Sequence, residues 1–137
     1  MSDSLWILGV RLAGAFHFVT LLCACLTPIP PDWESNLGKL RHRRLTFEPY
    51  MTAGATMALL GLISLLFAPA LITGTPFARI VCCSTAIFWG GRLGPTRWFG
   101  VRPVLTTPWL RFGYKLFLAE CVVHTLAYGW LAVRPTG

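Results

Sequence analysis

Four long apolar runs, each bracketed by proline, set the limits on what this chain can fold into. They extend from Leu5 to Leu26, Tyr50 to Phe67, Phe77 to Leu93 and Phe112 to Val133. A helix that crosses a bilayer needs about 20 mainly apolar residues, because the hydrocarbon core is ~30 Å thick and each helical residue rises ~1.5 Å. Proline suits the first turn of a helix, where its missing N–H has no partner anyway, and it stops a helix just beyond the last turn. Glu48-Pro49, Thr75-Pro76 and Thr107-Pro108 therefore read as helix starts. Thr27-Pro28, Ala68-Pro69, Gly94-Pro95 and Arg134-Pro135 read as the four exits. The pattern predicts an all-α membrane protein: four transmembrane helices in an antiparallel bundle over about 5–27, 49–68, 76–94 and 108–134, forming a single integral-membrane domain over residues 1–137.

Composition supports a lipid-facing exterior. Hydrophobic residues make up 55% of the chain and charged residues 12%, about half the charged share of a soluble domain. Twelve Lys and Arg and five Asp and Glu cannot coat a water-soluble surface when the apolar residues come in long runs. The first run is expected to remain as a span. The leader Met1-Ser2-Asp3-Ser4 has no basic residue, and the run exceeds the ~7–15 apolar residues of a cleaved signal. Leu22-Cys23-Ala24-Cys25 has the outline of a lipoprotein cleavage box without the basic start that such a box requires.

The links, from Pro28 to Glu48, Pro69 to Thr75 and Pro95 to Thr107, are 21, 7 and 13 residues long. The short one predicts a tight hairpin of the second and third helices, and the first and third links then share one face of the bundle. Basic residues set the orientation, because Lys and Arg concentrate on the cytoplasmic side. Nine lie in or beside the first and third links: Lys39, Arg41, Arg43, Arg44, Arg92, Arg97, Arg102, Arg111 and Lys115. Three lie on the other side, Arg11, Arg79 and Arg134, so both termini are predicted outside and the two long links in the cytoplasm. Trp6, Trp33, Trp98, Trp109 and Trp130 fall near predicted span ends, where amphipathic rings are favoured.

The net charge of +7 would suggest nucleic acid in a soluble chain. Here membrane-adjacent placement accounts for it, since each cation gains about 1 kcal/mol beside an anionic leaflet, and no nucleic-acid partner is expected. Lys39, Arg41, Arg43, Arg44, Arg97 and Arg102 are the expected contacts to anionic lipid or to an acidic partner. Cys23, Cys25, Cys82, Cys83 and Cys121 form no C-x-x-C and read as small packing residues, with no metal site expected.

Ionisable residues inside spans are expensive and therefore informative. Glu120, His124 and Tyr128 recur every four residues and form one polar stripe on the fourth helix. On the first helix Ala13, Gly14, His17, Thr20 and Ala24 share a face of small and polar residues, which turns His17 inward. His17 lies 12 residues beyond Leu5 and His124 12 beyond Phe112, so the two imidazoles are expected at the same depth. Paired histidines at one level could bind a b-type haem, with Ala13 and Gly14 leaving room for the macrocycle; hydrogen-bonded packing across an interface is the competing reading. Glu120 could form an ion pair with Arg92, or carry protons with His124 and Tyr128. Gly54, Ala58 and Gly61 form a packing ridge on the second helix, and Gly90 and Gly94 a G-x-x-x-G on the third. No H-E-x-x-H, P-loop, G-x-S-x-G or acidic metal box is present, and no catalytic residue is assigned.

Thr75-Pro76-Phe77-Ala78-Arg79 and Phe88-Trp89-Gly90-Gly91-Arg92-Leu93, with four spans and a basic first link, resemble a group of small bacterial four-helix membrane proteins of uncharacterised function. The resemblance implies a bacterial membrane and an inward or interfacial Arg92, and it transfers no activity. The leading expectation is a non-catalytic accessory or structural subunit of a larger membrane complex or homo-oligomer, with anionic lipids and membrane-protein subunits as partners. The alternatives are a haem- or redox-cofactor-binding subunit using His17 and His124, and a small transporter or proton pathway centred on Glu120.

Overall fold

A computed structural model of the chain describes residues 3–26, 43–94 and 105–135, and side chains in all of these except 43–52. Every regular element among the described residues is helical: α1 (Asp3–Leu26), α2 (Arg43–Leu66), α3 (Ala68–Leu71), α4 (Pro76–Gly90) and α5 (Pro108–Val133). Two proline-marked starts stand as expected. The Thr75 hydroxyl accepts from the Ala78 N–H at 3.3 Å ahead of Pro76, and the Thr107 hydroxyl accepts from the Leu110 N–H at 3.2 Å ahead of Pro108. Each such cap stabilises a helix end by about 1 kcal/mol.

The other two boundaries around α2 are corrected. The helix begins at Arg43, which places Pro49 inside it. A proline there forgoes one backbone bond, and propagation of the helix on both sides carries the segment past that loss. Pro69 was expected to close this helix; instead it opens a separate one-turn helix, α3, as a residue of its first turn. The chain leaves α3 through Gly74, whose φ of 69° is a left-handed conformation that glycine adopts without a Cβ clash.

This extra turn also corrects the expected tight hairpin of the second and third helices. α3 touches α1, α2 and α4, and works as a spacer between α2 and α4, while the main packing is of α1 on α2 and of α4 on α5. The third helix is shorter than expected as well, ending at Gly90 instead of continuing to about residue 94. Adjacent Gly90 and Gly91 weaken helix propagation, and the Arg92 N–H bonds three residues back to the Trp89 carbonyl at 3.1 Å, tightening the last turn.

Two helices, α1 and α5, are long and apolar enough to cross a membrane. Ala53–Leu66 and Pro76–Gly90 are apolar but shorter, so two described helices meet the length test where four were expected. Only 17% of the apolar window of α1 and 22% of that of α5 is buried inside the protein. A core helix of a water-soluble domain would be mostly buried. Leu5, Leu8, Leu12 and Phe16 on α1 and Phe112, Leu116, Val123 and Leu126 on α5 all point outward.

The interior divides into two clusters. One gathers Val10, Ala68, Leu71, Ile72, Cys82, Ala86, Tyr128 and Leu131 at the α3 end. The other gathers Met57, Trp89 and Cys121 further along, with Leu21, Phe88, Leu93 and Phe117 packed against it. The α3 end is tied by arginines: Arg79 Nε donates to the Gly74 carbonyl at 3.0 Å, its Nη2 to the Arg134 carbonyl at 3.0 Å, and Arg134 Nη2 to the Ile72 carbonyl.

Candidate functional site: a polar seam between two helical pairs

The α1–α2 and α4–α5 pairs meet along a line of polar side chains, and the sequence explains their placement. On α1, small residues bring the backbone against α2. A Cβ at Gly14 would lie 2.9 Å from the Gly61 carbonyl oxygen and 3.0 Å from the Leu65 nitrogen, and one at Gly61 would lie 2.9 Å from His17 Cβ. With that side of α1 pressed on α2, His17 and Thr20 are left to face α4 and α5.

His17 is completely buried, and both ring nitrogens are used. Nε2 accepts from the Trp89 indole N–H at 3.0 Å, and Nδ1 lies 2.7 Å from the Ala13 carbonyl. Indole only donates and carbonyl only accepts, so the partners fix one neutral tautomer with the proton on Nδ1. His124 is held differently. Nδ1 lies 2.9 Å from the Glu120 carbonyl and Nε2 3.2 Å from the same Ala13 oxygen. A neutral ring between two acceptors has one N–H to give, so its tautomer is not dictated as that of His17 is.

The two imidazoles, expected at one depth, are brought together, with ring centroids 4.7 Å apart at 86°. That closeness answers the haem expectation. A bis-histidine haem needs both rings to direct a lone pair at iron with the macrocycle between them. Here His17 Nε2 accepts the Trp89 proton, the rings touch, and the space at Gly14 is filled by Gly61, Ser64 and Leu65 of α2. These residues do not fit a b-type haem.

Glu120 also takes a partner other than the one its position suggested. Its Oε2 accepts from the Thr20 hydroxyl at 2.5 Å, and Oε1 is buried with no hydrogen-bond partner. Arg92, expected to pair with it, holds its guanidinium 4.4 Å over the Phe88 ring. Tyr128 OH lies 2.6 Å from Ser64 Oγ, which itself donates to the Leu60 carbonyl, so the phenol is the donor in their bond. The Glu120–His124–Tyr128 stripe therefore faces inward as a set, but its side chains bond separately: His124 and Tyr128 stack at 6.0 Å without a hydrogen bond, His124 meets the Glu120 and Ala13 carbonyls, Tyr128 reaches the Leu60 carbonyl through Ser64, and Glu120 ends on Thr20. No direct side-chain hydrogen bond links the three.

Trp89 is the central residue that sequence reasoning missed. It is wholly buried, donates to His17, stacks on His124 at 4.7 Å and meets Phe117 at 6.1 Å. The sequence carried no separate signal for it, since at four residues from Leu93 it lies nearer a predicted span end than Trp98 does. Ser64 was missed as well, since a lone serine on an apolar helix carries no pattern. Of the expected lipid or partner contacts, Lys39, Arg41, Arg97 and Arg102 lie outside the described residues, as do the side chains of Arg43 and Arg44. Among the described residues no cluster of three or more His, Cys, Asp and Glu could hold a metal ion, and all five cysteines are free thiols.

Beside the seam, α1 and α5 do not close on each other. They leave a groove of about 750 Å³ that runs from Trp6 and Leu131 at one end to Leu26 and Trp109 at the other. Its walls are aliphatic and aromatic, with Thr20, Glu120, His124 and Tyr128 as the polar side chains. A scan against protein-family models, a search of curated proteins and a search of solved structures each found no match.

Proposed function

We propose that this chain is an integral membrane protein with four membrane-spanning helices that serves as a non-catalytic accessory or structural subunit, packed against a larger membrane complex or against copies of itself. The observation that carries this reading is the direction of its side chains. Large apolar residues face outward along α1 and α5, while His17, Ser64, Thr85 and His124 are buried and bonded. That inversion suits an apolar solvent and leaves few inward groups to perform chemistry. In this reading both termini lie outside, the two long links lie in a bacterial cytoplasm, and Lys39, Arg41, Arg43, Arg44, Arg97 and Arg102 meet anionic headgroups or an acidic partner.

Purification in a mild detergent is the test of the subunit role. A defined oligomer or a co-purifying membrane protein is expected, and recovery solely as a monomer would speak against it. Cysteines placed at Arg43 and Arg102 should react with an impermeant label from the same side of the membrane; labelling from opposite sides would refute the topology.

A transport role centred on Glu120 keeps one observation in its favour. Glu120 is among the residues that line the groove, and its Oε1 is buried without a hydrogen-bond partner.

A further inference from the structure

The groove between α1 and α5 has the size of a small-molecule site and an unusual balance of charge. At about 750 Å³ it falls in the ~300–1,000 Å³ range of ligand pockets. Six aromatic side chains line it: Trp6, Phe16, Trp109, Phe112, Phe117 and Tyr128. In a chain with 12 Lys and Arg against five Asp and Glu, the described residues of the groove wall include no Lys or Arg and one carboxyl, Glu120. Arg134, over Trp6 at one mouth, is 14 residues from Glu120 along α5, about 20 Å.

We propose that this groove binds a lipophilic organic cation, an alkyl- or aryl-substituted ammonium or phosphonium, with Glu120 as its counter-charge. The inference rests on the Glu120-centred reading and names the ligand class for it. Glu120 spends Oε2 on Thr20 and has no partner for Oε1, and a buried carboxyl either holds a proton or takes a positive charge beside it, which a bound cation would supply. A compact, hydrated cation would lose its water against these walls with few oxygens to replace it. A cation whose charge is spread over apolar substituents loses little water, and aromatic faces attract it. An anion would meet the carboxyl unfavourably.

The test is equilibrium dialysis of tetraphenylphosphonium against the full chain in lipid nanodiscs. Saturable binding of one cation per chain is expected. Glu120→Gln should weaken it at least tenfold, and its amide oxygen can still accept from Thr20, so thermal unfolding should be little changed. Gly113→Leu offers a second route, because a Cβ at Gly113 meets nothing within 4 Å and Gly113 lines the groove. It should lower affinity by filling the site while Glu120 is untouched. Absence of saturable binding, equal affinity in Glu120→Gln, or equal displacement by neutral triphenylphosphine oxide would overturn the inference. So would cross-linking of two copies through Leu116→Cys, which would show the groove occupied by a second chain. Binding without cation flux in liposomes would sustain the inference and end the transport reading.

Discussion

The interface inside the α1–α2 pair and the interface between the two pairs solve the same packing problem in opposite ways. Within the pair, Gly14 and Gly61 let two backbones meet, each without a side chain of its own at the crossing. Between the pairs, bulky side chains reach across: Trp89 to His17, Thr20 to Glu120, Tyr128 to Ser64 and His124 to the Ala13 carbonyl. The first interface gains dispersion over a close surface, and any added atom disrupts it. The second gains directional bonds that hold the pairs at a distance, and the space left beside them is the groove. Close packing excludes a ligand, whereas a bonded spacer makes room for one.

Substitutions can separate these two modes, and the glycine crossing should give the largest effect. Gly61→Leu places a side chain against His17, Phe18 and the Gly14 carbonyl, where even a Cβ is too close. A loss of about 3 kcal/mol or more, the upper range of overpacking, is expected in reversible unfolding in bicelles. A loss below about 1 kcal/mol would mean the α1–α2 crossing is not tight. Trp89→Phe should come next. It keeps most of the ring but leaves His17 Nε2 as a buried acceptor without a donor, for which about 2 kcal/mol is expected in the same measurement. Wild-type stability in that variant would show that the indole N–H is not the partner that matters. Tyr128→Phe should cost least, about 0.6 kcal/mol, the average for one hydrogen bond between helices in lipid. Ser64 keeps its bond to the Leu60 carbonyl after the change, which limits the damage.

Much of this arrangement is legible in the residues, for local reasons. Thr75-Pro76 and Thr107-Pro108 mark helix starts because a capping hydroxyl and a ring-locked φ act over one turn. The inward turn of His17 and of the Glu120–His124–Tyr128 stripe follows from helical spacing, and equal depth places the two imidazoles in reach of each other. What could not be read depends on tertiary context. Glu48-Pro49 has the local signature of the true starts and Ala68-Pro69 that of an exit, but Pro49 lies inside α2 and Pro69 opens α3. The choice of Thr20 over Arg92 as the partner of Glu120 depends on the helix ending at Gly90, which the surrounding apolar run conceals. Neither Trp89 nor Ser64 gave a sign of its own.

The claim beneath the comparison is that directional bonds join the two helical pairs. A double-mutant cycle on His17 and Trp89 measures that most directly, using His17→Leu, Trp89→Phe and the combined variant in reversible unfolding from lipid. The structure predicts a coupling of at least about 0.6 kcal/mol, in the range found for hydrogen bonds between helices in lipid. Strictly additive losses, within about 0.3 kcal/mol, would show that the pairs are held by apolar contact alone and would contradict the account.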